Sequence, residues 1–287
     1  MHKYLLLPII ISCGIISTGC SDNKKETNNQ NSQLITGLMF FGPIKSVKET
    51  FSTPADYNEQ KKRIAGDMFI EYSRDSLLTN YQYNSVIYTE KNGSMYFTKM
   101  VMNTSFDSNT PLSKKMSSTF YDGNDAQLFS FKTDFYYSVN NDNQINNIRT
   151  ISNKSSPKTN IQHVFWENNR VDQINGKDFQ GLNTLIKYQY NKQGNIVSTI
   201  DSAENKDKPS FSTIKKMEYY YDNNGFFSKI IAQFYGKKLD FEYTYLDITS
   251  CLENDAHGNC LTAEISKFTP EGKLEFMTIH RYEYQYY

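Results

Sequence analysis

Four cysteines and four histidines hold most of the reactive chemistry open to this chain of 287 residues. A thiol can be acylated, oxidised or used to hold a metal, and spacing with context chooses among these fates. Cys251 and Cys260 bracket a turn between alternating runs that end near Ser250 and resume near Leu261. Opposed positions at a hairpin end can meet disulfide geometry, which wants Cα atoms about 4.4–6.8 Å apart. A disulfide between them is the expectation. Free thiols are the alternative, and a metal site built from Cys251, His257 and Cys260 is a third, although that spacing matches no common zinc pattern. His163, His257 and His280 fall in no metalloprotease helix motif and near no nucleophile-elbow glycines. His280 shares the aromatic face of the last alternating run and reads as a packed or hydrogen-bonded residue, and His257 reads as a turn residue. Asp122-Gly123-Asn124-Asp125 offers oxygen ligands for calcium, but it lacks the twelve-residue loop and terminal glutamate of a calcium loop, so a solvated turn is expected. The chain reads as a non-enzyme: no catalytic residue, no metal and no cofactor is expected.

The remaining two cysteines belong to the amino terminus. Met1, His2 and Lys3 precede the apolar stretch Tyr4 to Ile16, then Ser17-Thr18-Gly19-Cys20. A charged start, a short apolar run and small residues before a cleavage point describe a secretory signal peptide. The run is too short for a membrane-spanning helix, which needs about 20 apolar residues, and Pro8 and Gly14 interrupt it. The segment resembles the box of bacterial lipoproteins, in which two small residues precede the cysteine that receives lipid. Here these are Thr18, Gly19 and Cys20, with Ser17 where leucine is usual. Ile10-Ile11-Ser12-Cys13 fits the box locally but leaves a shorter apolar run, and an ordinary signal peptide cut near Gly19 is the remaining alternative. The resemblance implies acylation of Cys20, anchoring to a lipid bilayer, and, since Ser21 is not aspartate, an outer-membrane lipoprotein on either face. Residues 1–19 are therefore read as the signal. Residues 20–35 are read as the lipidated cysteine and a flexible tether, because Asn23 to Gln33 holds no apolar residue to offset its ordering entropy. Residues 36–287 are read as one domain.

Composition narrows the partners. Basic and acidic residues balance at 31 each, so the chain has no surplus of positive charge to neutralise phosphates, which argues against nucleic acid. Hydrophobic content is 38%, yet 22 tyrosines and 19 phenylalanines bring aromatics to 15%. Tyrosine, with an apolar ring and a wet end, then carries much of the burial.

The elements that must position these residues are strands. Met217, Tyr219 and Tyr221 alternate with Lys216, Glu218 and Asp222; Phe226, Ile230 and Phe234 oppose Lys229 and Gln233. Leu239, Phe241, Tyr243 and Tyr245 alternate with Asp240, Glu242 and Thr244, and Leu274 through Tyr286 keeps the same period. Period two means strand, since successive side chains leave opposite faces. Asp122-Gly123, Gly194-Asn195, Asn224-Gly225 and Pro270-Glu271-Gly272 supply turns between the runs. Ala55 to Ile64 is the best candidate for a short helix and reads equally well as a polar loop. The expectation is an all-β domain of about fifteen mostly antiparallel strands in a sheet curled into an open or partly closed barrel or platform.

The hairpins repeat. Tyr188 to Ile196 is followed by Tyr219 to Phe227 with the glycines Gly194 and Gly225 31 residues apart, and Asp255 to Asn259 is a looser copy; Phe165 to Val171 is an echo without glycine. A period near 30 suggests units that bury their faces on their neighbours. The pattern Tyr-x-Tyr-Asp-x-x-Gly resembles the tyrosine-aspartate repeats of RHS-type proteins, and more closely the envelope lipoproteins that carry degenerate copies of them. Asp255 to Asn259 matches their Asp-x-His-Gly-Asn turn, with Cys260 where tryptophan is common, and Gly42 to Thr50 resembles their first strand. The resemblance implies architecture more than activity. The expected ligand face is the row Tyr188, Tyr190, Tyr219, Tyr221, Tyr243, Tyr245, Tyr282, Tyr284 and Tyr286, with a glycan, peptide or envelope protein as partner. The alternatives are ordinary core packing for those tyrosines, an assembly role for the protein, and a hydrolase of envelope polymers.

Overall fold

A computed structural model describes residues 42–54, 62–74, 78–91, 94–107, 112–122, 126–152, 158–178, 181–204, 211–238 and 241–287, together with Asn31 and Leu34. Cys20 and the signal lie outside the described residues, as do 55–61 of the helix candidate; its end, Lys62–Ile64, is strand. The first eight strands are β1 (Ile44–Ser52), β2 (Lys62–Tyr72), β3 (Leu78–Lys91), β4 (Ser94–Asp107), β5 (Leu112–Tyr121), β6 (Gln127–Val139), β7 (Ile145–Ser152) and β8 (Lys158–Glu167). The second eight are β9 (Arg170–Lys177), β10 (Asn183–Tyr190), β11 (Ile196–Glu204), β12 (Phe211–Tyr221), β13 (Phe227–Lys238), β14 (Phe241–Asn254), β15 (Cys260–Phe268) and β16 (Leu274–Tyr286).

Each strand pairs antiparallel with the next along the chain, as period-two runs joined by short turns require. The expected all-β, antiparallel architecture holds. What hairpin reading left open was the join between the ends. β1 pairs with β2 and also with β16, with Val47 opposite Tyr284, Glu49 opposite Tyr282 and Phe51 opposite His280. Every strand therefore has two hydrogen-bonded neighbours, and the sixteen strands form a closed ring rather than an open or partly closed sheet. At this seam Gly66 faces Phe51 across β1 and β2. A Cβ on Gly66 would stand 2.4 Å from the Phe51 ring and 2.2 Å from the Asn84 carbonyl oxygen, so only glycine fits.

Closure fixes inside and outside. The buried face of the sheet carries Val47, Phe51, Met68, Ile70, Tyr81, Tyr83, Ile148, Val164, Ile174, Tyr219, Ile230, Ile265 and Tyr282. In a closed ring the buried face is the inner one. The other face carries exposed charges at mid-strand: Lys48, Asp67, Arg149, Lys187, Lys216, Glu218, Arg281 and Glu283. A membrane-spanning barrel needs an outward apolar band about 25 Å tall. Among the described residues this outer wall instead sets Ile161, Phe165, Ile200, Ile214 and Tyr235 among charges.

The tyrosines of the repeat close one rim. At the open end of five hairpins, from β7–β8 to β15–β16, a side chain near the end of the second strand donates to a carbonyl at the start of the first. Trp166 Nε1 donates to Ile145 at 2.7 Å, Tyr190 to Val171 at 2.7 Å, Tyr221 to Ile196 at 2.8 Å, Asn254 Nδ2 to Phe227 at 3.3 Å and Tyr284 to Cys260 at 2.9 Å. All five accepting residues are buried, where an unpaired carbonyl would be costly. The loops between these units share one device. The carboxylate of Asp222 accepts from the backbone N–H groups of Asn224 and Phe226, Asp255 accepts from His257 and Asn259, and Asn140 accepts from Asp142 and Gln144. Gly225 takes φ 79°, a value glycine reaches without strain, and Asn143 fills the same place at φ 61°. Phe227 rather than Phe226 faces inward, because the ladder shifts register beside Tyr221 and assigns Phe226 to the turn.

Cys251 and Cys260 are joined as a disulfide across the β14–β15 turn, with Cα atoms 5.8 Å apart. The tether expectation for 20–35 meets an exception at Asn31, which is 1% exposed, and at Leu34, which packs on the inner cluster of β6–β9.

Two outcomes follow for stability. Tyr221→Phe removes one hydroxyl–carbonyl bond and lowers unfolding free energy by about 1 kcal/mol in urea titration, whereas Tyr235→Phe on the outer wall changes it by less than about 0.5 kcal/mol. Replacing Cys251 and Cys260 together by alanine costs about 2–3 kcal/mol, the chain-entropy value for so short a loop.

Candidate functional site

The expected ligand face is turned inward. Tyr219 and Tyr282 are buried, and Tyr188, Tyr190, Tyr221, Tyr284 and Tyr286 pack partly buried against the same core. The side chain of Tyr243 lies outside the described residues. Burial pushes the hydroxyls of Tyr188 and Tyr190 up and holds them neutral. Tyr286 is held at the rim by Asp255, to which it donates, and by Asn259, whose Nδ2 donates to it at 2.8 Å. The ring of His257 lies 4.2 Å from that of Tyr286. These tyrosines are therefore wall and clasp, not a platform open to the outside, because the inner side of a closed sheet cannot meet a surface from without.

His280 is the most heavily bonded imidazole. Its Nδ1 lies 2.6 Å from Glu49 Oε1, its Nε2 lies 2.9 Å from Thr278 Oγ1, and Phe51 stacks on it at 5.1 Å. These partners are satisfied together when Nδ1 donates to the carboxylate and Nε2 accepts from the hydroxyl. The order hydroxyl, imidazole, carboxylate is that of a nucleophile, its base and an orienting group. Thr278 is 3% exposed and stands opposite Ile265 in the wall. The relay satisfies three polar groups on the seam between β1 and β16.

A different group faces the interior at the ends of β11–β16 remote from the clasped rim. Asp201 stands opposite Lys215, Lys215 opposite Phe234, Phe234 opposite Tyr245, and Asp247 opposite Lys267. The rings of Phe234 and Tyr245 stack at 4.3 Å, with the Lys215 ammonium 5.0 Å from the Phe234 centroid and the Lys267 ammonium 3.8 Å from that of Tyr245. Two cations thus bracket an aromatic pair, and a carboxylate stands beside each. Across the ring, Lys114 on β5 lies 4.4 Å from the Phe135 centroid, and burial lowers its pKa to about 8.

The inner wall at this end keeps partial contact with water. Asp201, Lys215, Phe234, Tyr245, Lys267 and Phe276 are half-buried although they point inward, whereas Phe227, Ile230, Ala263 and Ile265 toward the clasped rim are buried. Asp247 is 4% exposed, and its Oδ1 has no hydrogen-bond donor. Loss of water raises its pKa to about 6, against the pull of Lys267 and Lys215. Desolvation likewise raises Asp201 and lowers Lys215, each opposed by the charge of the other. Among the described residues Asp247 Oδ1 shares this state with Thr150 Oγ1, Asn195 Oδ1 and Thr199 Oγ1, and it is the one carboxylate of the four, set among lysines and aromatic rings.

Neither the lysines nor the aspartates of this row were singled out from sequence. The signal was available: the inward phase of Met217, Tyr219 and Tyr221 extends back to Lys215, and that of Tyr245 extends to Asp247. A charge on the apolar phase of a strand either is paired or faces a cavity. Among the described residues no group of three or more histidine, cysteine or acidic side chains could hold a metal ion.

No protein-family model and no curated protein matches the chain. Among solved structures, a porin-like protein from Bacteroides uniformis is similar at 9% identity and a TM-score of 0.49, over 86% of this chain and 98% of that one. Likeness at that level carries no argument about what this chain binds.

Asp247 links stability to pH. Its folded pKa exceeds its unfolded value near 3.9, so ionising it costs stability that is present below pH 4 and lost as pH rises toward 6. Asp247→Asn removes that cost. Thermal melts of the variant should lose this part of the pH dependence between pH 4 and 6 and gain roughly 1–3 kcal/mol at pH 7.

Proposed function

We propose that the protein is a non-catalytic lipoprotein of a bacterial outer membrane, held by acylated Cys20, whose barrel stands in water and binds a glycan in the open end of its interior. The observation that carries the reading is the Asp247 carboxylate, buried with one oxygen lacking a donor, in a row where acids and lysines alternate about a stacked aromatic pair. Two lysines and two aspartates leave that row neutral, which suits a ligand that is itself neutral. A sugar hydroxyl both donates and accepts, so one ring can give a proton to Asp247 and take one from Lys215 or Lys267. The charged outer wall suits a body beside the bilayer rather than within it. The box Thr18-Gly19-Cys20 supplies the anchor. The repeats resemble those of envelope lipoproteins, which agrees with the compartment.

Titration of the purified protein against an array of envelope oligosaccharides tests the ligand. The expected result is binding that Asp247→Ala weakens at least tenfold and Glu218→Ala, on the outer wall, leaves unchanged, as the loss of one buried charge-assisted bond requires. Binding near pH 6 should release protons, because a donor at Asp247 favours its ionised form. If no glycan binds and pull-downs recover a single envelope protein, the assembly role replaces this reading. For the anchor, a fatty-acid probe should label the wild type and not Cys20→Ala; label that persists in the variant removes Cys20 from the account.

A further inference from the structure

We infer that Asn31 and Leu34 dock the tether of this chain onto the clasped rim of the barrel and thereby turn that rim toward a lipid surface. The inference rests on the reading of Cys20 as the acylated residue. Asn31 lies outside the sixteen strands, yet it is among the most buried residues of the protein. Its Nδ2 donates to the Asn143 carbonyl at 2.7 Å, and its Oδ1 accepts from the Ile145 N–H at 2.9 Å. One side-chain amide thus gives a donor and an acceptor to two backbone groups two residues apart, the arrangement a neighbouring strand would give. Leu34 then packs against the inner cluster of Tyr137, Ile145, Ile148, Val164, Val171 and Ile174. The carbonyl of Ile145 is already taken by Trp166 and its N–H by Asn31, so the start of β7 is held on both sides.

Position follows from chain length. Odd-numbered strands all run from the clasped rim, so the starts of β7 and β1 lie on the same side of the ring, and Tyr287 N–H ties that side to Pro43 at 2.9 Å. Cys20 precedes Asn31 by eleven residues, which span at most about 36–40 Å when fully extended. The longest strands have 14 residues, a run of about 46 Å that stands about 33–38 Å high at the usual tilt of barrel strands, so only a tether drawn out to its full length reaches the far rim. An acyl group on Cys20 therefore reaches a bilayer on the clasped side more readily than one beyond the far rim. The end that holds the Asp247 row then faces away from the membrane that anchors the protein, and its ligand arrives from the aqueous side.

The test uses the mature acylated protein in phosphatidylethanolamine–phosphatidylglycerol vesicles. A fluorophore is attached through Lys192→Cys in the β10–β11 loop of the clasped rim, or through Glu271→Cys in the β15–β16 loop of the far rim. Headgroup-labelled nitroxide lipid should quench the first several-fold more than the second, and Asn31→Ala combined with Leu34→Ala should bring the two together. Hydrogen exchange gives a readout free of lipid: the Ile145 amide should exchange at least tenfold faster in Asn31→Ala, with the amides of Ile196 and Phe227 unchanged. Unchanged protection of Ile145 overturns the docking. Vesicle-bound protein quenched equally at both rims, or more strongly at the far one, overturns the orientation. Protein that does not sediment with the vesicles overturns the acyl anchor and the lipid-facing rim together.

Discussion

The pairing of β1 with β16 is the constraint on which the rest depends. Every other pairing in the ring joins strands adjacent in the chain and closes a short loop. This one brings Glu49 to His280 across 231 positions of sequence. A sheet left open there would present two edges of unpaired backbone, a template for association with other chains. It would also have no inside, and the aromatic face would need another cover. The relay from Thr278 through His280 to Glu49, stacked by Phe51, sits on that seam with its polar atoms matched to each other. Its geometry imitates a catalytic site because both need an imidazole held from two sides.

Much of the strand order was legible because period two and turn chemistry are local. Tyr219, Tyr221, Glu218 and Lys216 announce their faces without reference to any other residue, and Asn224-Gly225 announces the reversal. Closure was not legible, since nothing in Val47 or Tyr284 alone states that they will be opposite. The turn at Phe226 misled for a related reason. A register shift beside Tyr221 moves the inward phase by one residue, and a one-residue slip exchanges the faces.

The repeat is more regular in hydrogen bonds than in letters. Five hairpins place a donor at the same station, yet the station is filled by Trp166, Tyr190, Tyr221, Asn254 and Tyr284. An indole N–H, a phenol and an amide share one property that matters there, the ability to donate to a buried carbonyl from a side chain of sufficient reach. A pattern written in tyrosines misses two of the five. The turn residues behave alike: Asp222, Asp255 and Asn140 all accept from backbone N–H groups two and four residues ahead, so asparagine serves where a charge is not needed. The candidate site escaped for the opposite reason. Asp247 and Lys215 look like solvated strand residues until closure assigns them to the inner wall.

The two ends of the barrel then differ in kind. At the clasped rim, side-chain donors, turn carboxylates and Asn31 satisfy the backbone, and Ile145, Ile196, Phe227 and Cys260 there have little contact with water. At the far end the inner wall keeps partial exposure and carries charges whose solvation is incomplete. A folded chain tolerates such a cost where something else requires it, and strain of this sort gathers at binding sites. If Asp247 served only packing, asparagine or threonine would fill its place at lower cost, as Thr249 does two residues along the same inner phase. Retaining an acid there, beside Lys267 and without a donor for Oδ1, makes sense when the missing partner comes from outside the chain.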